Sequence, residues 1–164
     1  MELRHRRFEI RFDAKTADIE GVAIRFGDVA TLPWGRERIE AGALTADDVI
    51  LNLQHNRSMP LARTGGGGME ISQNDENLSF MAKMPGTTTG KDAQILLEKG
   101  ILRGASLEFS VEKSRFEDDL EIIEKGKVYG IGLVDRPAYP DSVIKSMRSL
   151  RPREIKLPPP FFVV

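Results

Sequence analysis

Leu97-Glu98-Lys99-Gly100-Ile101-Leu102-Arg103-Gly104-Ala105-Ser106-Leu107-Glu108-Phe109 holds the end of a helix, its stop signal and the start of a strand. Upstream, Gly90 to Lys99 gathers Ala93, Leu96 and Leu97, with Ile95 nearby, on one apolar face. That spacing is the helical repeat, and Thr88 or Thr89 stands ready as the N-cap. Gly100 suits the left-handed backbone that closes a helix. Past it the apolar period falls to two, at Ala105, Leu107 and Phe109, which is the repeat of a strand. One helix delivering the chain into a strand is the pivot of the fold.

Strand patterns extend outward in both directions. Leu3 to Phe12 and Ile19 to Phe26 alternate apolar and polar residues, with Gly21 as a candidate bulge. Gly27 to Gly35 reads as a loop, Arg36 to Glu40 as a short strand, and Thr45 as the cap of a brief helical turn. Val49 to Gln54 is an apolar strand that delivers His55. Met69 to Ser72 and Leu78 to Met84 form a hairpin through Asn74-Asp75-Glu76-Asn77. Downstream, Ala105 to Glu112, Leu120 to Glu124 and Lys127 to Val134 read as three strands, with Lys125-Gly126 as a hairpin turn. Ser142 to Leu150 has helical character, and Pro152 onward is a tail. These elements predict an α+β fold, β-rich and mostly antiparallel, a barrel or bent sheet with one main helix near 90–99 and short flanking helices. One domain over 1–148, followed by a mobile Pro-rich tail over 149–164, is the expected organisation.

Composition narrows the chemistry. The chain has 164 residues, 40% hydrophobic and 30% charged, as in soluble globular domains. Its formal net charge of −1 gives no global attraction to nucleic acid or anionic membrane. The basic clusters at Arg4, Arg6, Arg7 and Arg11, and at Lys145 to Lys156, read first as solvated tails. With no cysteine there is no disulfide, thiolate metal site or cysteine nucleophile. Two histidines without a His-x-x-x-His spacing leave little for zinc, and no cofactor is expected. No apolar run approaches the ~20 residues of a membrane helix, and no signal-peptide core is present, so an intracellular protein is expected.

Other motifs have plain readings. Gly65 to Gly68 precedes a strand and lacks a following Lys-Ser/Thr, so it is a hairpin connection rather than a phosphate loop. Gly86-Thr87-Thr88-Thr89-Gly90-Lys91-Asp92 is one residue short of a Walker A loop and has Asp92 where a hydroxyl is needed. Asp47-Asp48 and Asp118-Asp119 are adjacent acids that read as surface rather than metal ligands. What remains is a histidine and a serine, His55 and Ser106, each set in an apolar strand-like run. An imidazole can take a hydroxyl proton at neutral pH and so activate a serine for acyl transfer. His5 lies in the arginine-rich start, which leaves His55 as the base of any serine hydrolase here.

The order of short segments resembles the tailed-phage prohead (capsid maturation) serine proteases, a family similar in fold to herpesvirus assemblin. The resemblance runs over Ile19-Glu20-Gly21-Val22-Ala23, Ile39-Glu40-Ala41-Gly42-Ala43-Leu44, and Leu53-Gln54-His55-Asn56 with Met59-Pro60-Leu61-Ala62. It continues through Asn77-Leu78-Ser79-Phe80 and Leu97 to Ser106, its most specific part, to Gly132-Leu133-Val134-Asp135-Arg136-Pro137-Ala138-Tyr139-Pro140. The resemblance implies Ser106 as nucleophile and His55 as general base. It also implies that the substrates are scaffold segments, N-terminal segments of the major capsid protein, and the protease itself. The place of action would be the procapsid in the host cytoplasm. A homo-oligomer is compatible with it.

Two departures stand out. Family members commonly carry an acid two or three positions before the Leu-Val of the last strand, where this chain has Tyr129-Gly130-Ile131-Gly132. Asp135 is therefore the expected third catalytic member, with Glu108 as the other carboxylate at hand, although strand alternation aims neither at His55. Glu108 is itself the second departure, because the family favours a small residue there. The oxyanion hole is expected from main-chain amides near Arg136. The competing reading is a protease fold without turnover, serving a structural or assembly role in the capsid.

Overall fold

The computed structural model describes residues 10–13, 17–32 and 35–135. The strand expected before Ile10, the Ser142–Leu150 helix, the 149–164 tail and the amides near Arg136 lie outside the described residues. In order, the elements are β1 (Ile10–Asp13), β2 (Asp18–Arg25), β3 (Val29–Leu32), β4 (Gly35–Ile39), β5 (Leu44–Thr45) and β6 (Ile50–Leu53). They continue as β7 (Asn56–Arg63), β8 (Met69–Gln73), β9 (Asn77–Lys83), α1 (Thr88–Glu98), β10 (Gly104–Glu117) and β11 (Leu120–Val134).

The strand β11 is the spine. On one side it pairs antiparallel with β10 along nearly its whole length. On the other side β4, β5 and β6 dock in turn, all parallel to it: Ile39 opposite Ile123, Leu44 opposite Gly126, and Leu53 opposite Leu133. The segment 36–53 thus follows β11 as one interrupted strand, its excess length taken up by the two connections. β3 and β7 complete this seven-stranded sheet at its edges, and β1-β2-β9-β8 form a second sheet of four strands. The seven-stranded sheet is mixed, the four-stranded one wholly antiparallel, and neither closes on itself, so the bent-sheet form of the α+β expectation holds and the barrel form does not. Ile19, Leu51, Leu78, Ile123, Val128, Ile131 and Leu133, all fully buried, belong to a single core cluster.

Local physics moved some boundaries. α1 is capped by Thr87 rather than Thr88 or Thr89: its hydroxyl accepts from Gly90 N–H at 3.0 Å. Gly100, with φ of +68°, ends the helix as expected. α1 is the one helix among the described residues, and the supposed turn at Thr45 is β5 followed by bends. The Lys125-Gly126 hairpin is also corrected. β11 runs straight through it, and the chain reverses at Asp118-Asp119, between the paired Glu117 and Leu120. Asp118 takes the positive φ, +54°, that a tight hairpin demands. Gly126 serves packing instead, since a Cβ there would fall 2.8 Å from the Ser110 carbonyl oxygen and 3.2 Å from Leu44 Cδ2.

Candidate active site

Strand alternation separates two faces where β10, β11 and β6 lie side by side. Ala105, Leu133 and Leu53 form one row across the three strands, and Leu107, Ile131 and Leu51 the next; both rows enter the core. On the opposite face the rows are Ser106, Gly132 and Asn52, then Glu108, Gly130 and Ile50. Residues paired across neighbouring strands share a face, with Cβ atoms ~4.5–5.5 Å apart. Two rows therefore gather a serine, a glutamate and an asparagine around two glycines.

His55 reaches this face from a turn, not from within a strand as the apolar run suggested. Leu53 pairs with Asn56, which leaves Gln54 and His55 as a two-residue loop with φ of +54° and +57°. Positive φ at both positions marks the type I′ hairpin turn, whose twist matches the strands it joins. The turn is tied to the spine by Gln54 N–H, which donates to the Leu133 carbonyl at 2.9 Å. The imidazole then lies against Gly132: a Cβ at 132 would fall 2.8 Å from Cε1 and Nδ1 of His55. Gly132 is the floor of the histidine pocket.

The carboxylate on His55 is Glu108. His55 Nδ1 lies 2.6 Å from Glu108 Oε1, and Asn52 Nδ2 donates to the same oxygen at 2.9 Å. All three side chains are buried, with exposures of 6% for His55, 4% for Glu108 and 1% for Asn52. Glu108 pairs with Gly130, and a Cβ at 130 would fall 2.8 Å from its Cδ. The glutamate on β10 thus fills the space that a side chain at 130 would take on β11. Asp135 does not hold this place. It is exposed at the end of β11, and its backbone N–H donates to Gln54 Oε1 at 3.4 Å. A glutamate facing a glycine across an antiparallel pair was the available signal, but reading it needs the register of β10 on β11.

An ionised carboxylate at Nδ1 favours the proton on that nitrogen, and in that tautomer Nε2 keeps a free lone pair. Nε2 is buried and accepts no hydrogen bond. Half-buried Ser106 stands directly across the strand pair from the glycine that supports the ring, without a hydrogen bond to Nε2 in this conformation. Such bonds are often loose in apo enzymes and tighten with substrate. Among the described residues no group of three or more His, Asp or Glu side chains is arranged to hold a metal ion, and no helix is long and apolar enough to cross a membrane. A shallow depression of about 500 Å³ lies elsewhere, on the four-stranded sheet between Glu20, Glu70 and Met81, and includes none of the site residues.

Comparison with known proteins gives one result of wide coverage: residues 4–155 match a family described as caudovirus prohead serine protease. No curated protein and no solved structure matches the chain.

Proposed function

The chain belongs to the caudovirus prohead serine protease family, and from that premise we propose that it is an active serine endopeptidase using Ser106, His55 and Glu108. Ser106 Oγ attacks the scissile carbonyl while His55 Nε2 takes its proton and later returns it to the leaving amine. Glu108 holds the Nδ1–H tautomer and stabilises the imidazolium that forms. Its substrates are scaffold or N-terminal capsid segments, and the chain itself, inside the procapsid.

The observation that carries this reading is the 2.6 Å contact between His55 Nδ1 and Glu108 with Nε2 left unpartnered. A catalytically silent fold was the natural alternative when the acid at 130 was missing. A buried glutamate beside the histidine supports the active reading over it. The test is co-expression with the phage's capsid and scaffold proteins, read by gel and mass spectrometry. Wild type cleaves, whereas Ser106→Ala and Glu108→Ala are silent or slowed by about 10³–10⁴-fold. Cleavage by Ser106→Ala at the wild-type rate would refute the assignment.

A further inference from the structure

We propose that Asn52 is a positioning residue of this site, holding the Glu108 carboxylate so that His55 keeps its proton on Nδ1. The inference rests on the Ser106–His55–Glu108 reading and adds a fourth member to it.

Asn52 is out of place as a structural residue. It occupies the third position of Ile50-Leu51-Asn52-Leu53, is 1% exposed, and its Oδ1 is buried without a hydrogen-bond partner. A buried amide with an orphaned carbonyl destabilises a fold relative to an apolar residue of the same shape. The fold alone gives no reason to keep it there. Its other end supplies the reason, because Nδ2 donates to Glu108 Oε1, the same oxygen that contacts His55 Nδ1.

That shared oxygen is where the tautomer is decided. If Oε1 carries a proton, it can donate to a bare Nδ1, and the ring then holds its hydrogen on Nε2, where it cannot accept from Ser106. An amide N–H on Oε1 bonds more strongly to an anionic oxygen than to a hydroxyl oxygen, and so favours the arrangement in which His55 donates. The register also fixes the amide in place. Asn52 pairs with Gly132, the glycine beneath the imidazole, and sits one row from Gly130, the glycine beneath Glu108. A donor from β6 can cross to the β10 carboxylate only because both intervening β11 positions lack side chains.

Asn52→Leu keeps the shape, removes the donor and also removes the unpartnered Oδ1, so its thermal midpoint should stay near wild type. The full-length chain is titrated with a fluorophosphonate probe to separate the inactivation rate kinact from the half-saturation constant KI. The expected result is kinact lowered about 10- to 100-fold with KI unchanged. In ¹⁵N-labelled protein, the His55 ring signals should move from the Nδ1–H pattern toward a mixture. Asn52→Ala, which has neither donor nor ionisable group, should behave alike and serves if the leucine variant does not fold. The proposal is overturned if the variant that folds labels within twofold of wild type with unchanged ring signals, or if only KI changes. Ser106→Ala labelled as fast as wild type would instead sink the underlying dyad.

Discussion

Gly132 and Gly130 are the two residues on which the site turns, and both matter for what they lack. Each is buried in β11, and each leaves room for a side chain from elsewhere: the imidazole of His55, from the turn, over one and the Glu108 carboxyl, from β10, over the other. Gly132→Ala is the sharpest single probe. The added methyl meets Cε1 and Nδ1 of His55 at 2.8 Å, and the ring must move, because the Cβ is fixed to the central strand. Overpacking of this kind costs about 1–3 kcal/mol of stability. Displacing a catalytic group by ~1 Å costs about a hundredfold in rate. Probe labelling of Ser106 should therefore fall about a hundredfold while circular dichroism shows a folded protein, and labelling at the wild-type rate would mean that the ring has other room. The residue identities of His55 and Ser106 were open to a reader of the sequence because each is a reactive side chain in a recognisable local pattern. Glu108 could be named only as a second carboxylate beside Asp135, since choosing it depends on a residue twenty-two positions away that has no side chain.

At the level of elements, the site is a device for bringing three strands and one turn to a common face. β10 supplies Ser106 and Glu108 with the spacing of two that keeps them on one side. β6 supplies Asn52, and the I′ turn at its end supplies His55. β11 supplies space. The carboxylate could in principle come from either strand of the β10–β11 pair, because position 130 faces 108 directly. The exchange Glu108→Gly with Gly130→Glu moves the acid from β10 to β11 while keeping the total side-chain volume. Glu108→Gly alone should lose about 10³–10⁴-fold in cleavage of co-expressed capsid or scaffold protein. The double variant should recover at least about tenfold of that loss, since an orienting carboxylate is again beside Nδ1. No recovery in a folded double variant would show that the β10 origin of the acid is essential. The strands were legible wherever both faces differ, as in β8, β9 and the start of β10. The false hairpin at Lys125-Gly126 arose because a glycine needed for close packing looks the same in sequence as a glycine needed for a turn.

On the scale of the whole molecule, the parallel docking of β4, β5 and β6 along β11 was not legible at all. Periodicity reports which face of a strand is buried but is silent about its neighbour, and each of these segments is too short to carry more. The far end of that ladder is fastened by charge. Arg36 Nε and Nη2 donate to the two carboxylate oxygens of Asp119 at 3.0 and 2.7 Å, and Arg36 N–H donates to the Asp119 carbonyl at 3.2 Å. This joins the start of β4 to the tip of the β10–β11 hairpin. The Arg36 hydrogen bonds hold the Asp119 carboxyl below its ordinary range, aided by the guanidinium charge and partly opposed by burial. Arg63 does the same for Asp48 beside the β6–β7 hairpin. Both pairs are exposed, so salt and competing water keep their contributions small. Their pH dependence still has a definite sign. A carboxyl whose folded pKa lies below its unfolded one binds fewer protons when folded, so its contribution is complete above the unfolded value, ~4. It fades as the pH falls through the lower, folded value. Thermal midpoints of wild type and Asp119→Asn, compared at low salt from pH 7 down to pH 2, should differ at the upper end and converge at the lower. A gap that stayed constant down to pH 2 would mean that asparagine acts through hairpin geometry at Asp118-Asp119 and not through the lost charge on Arg36.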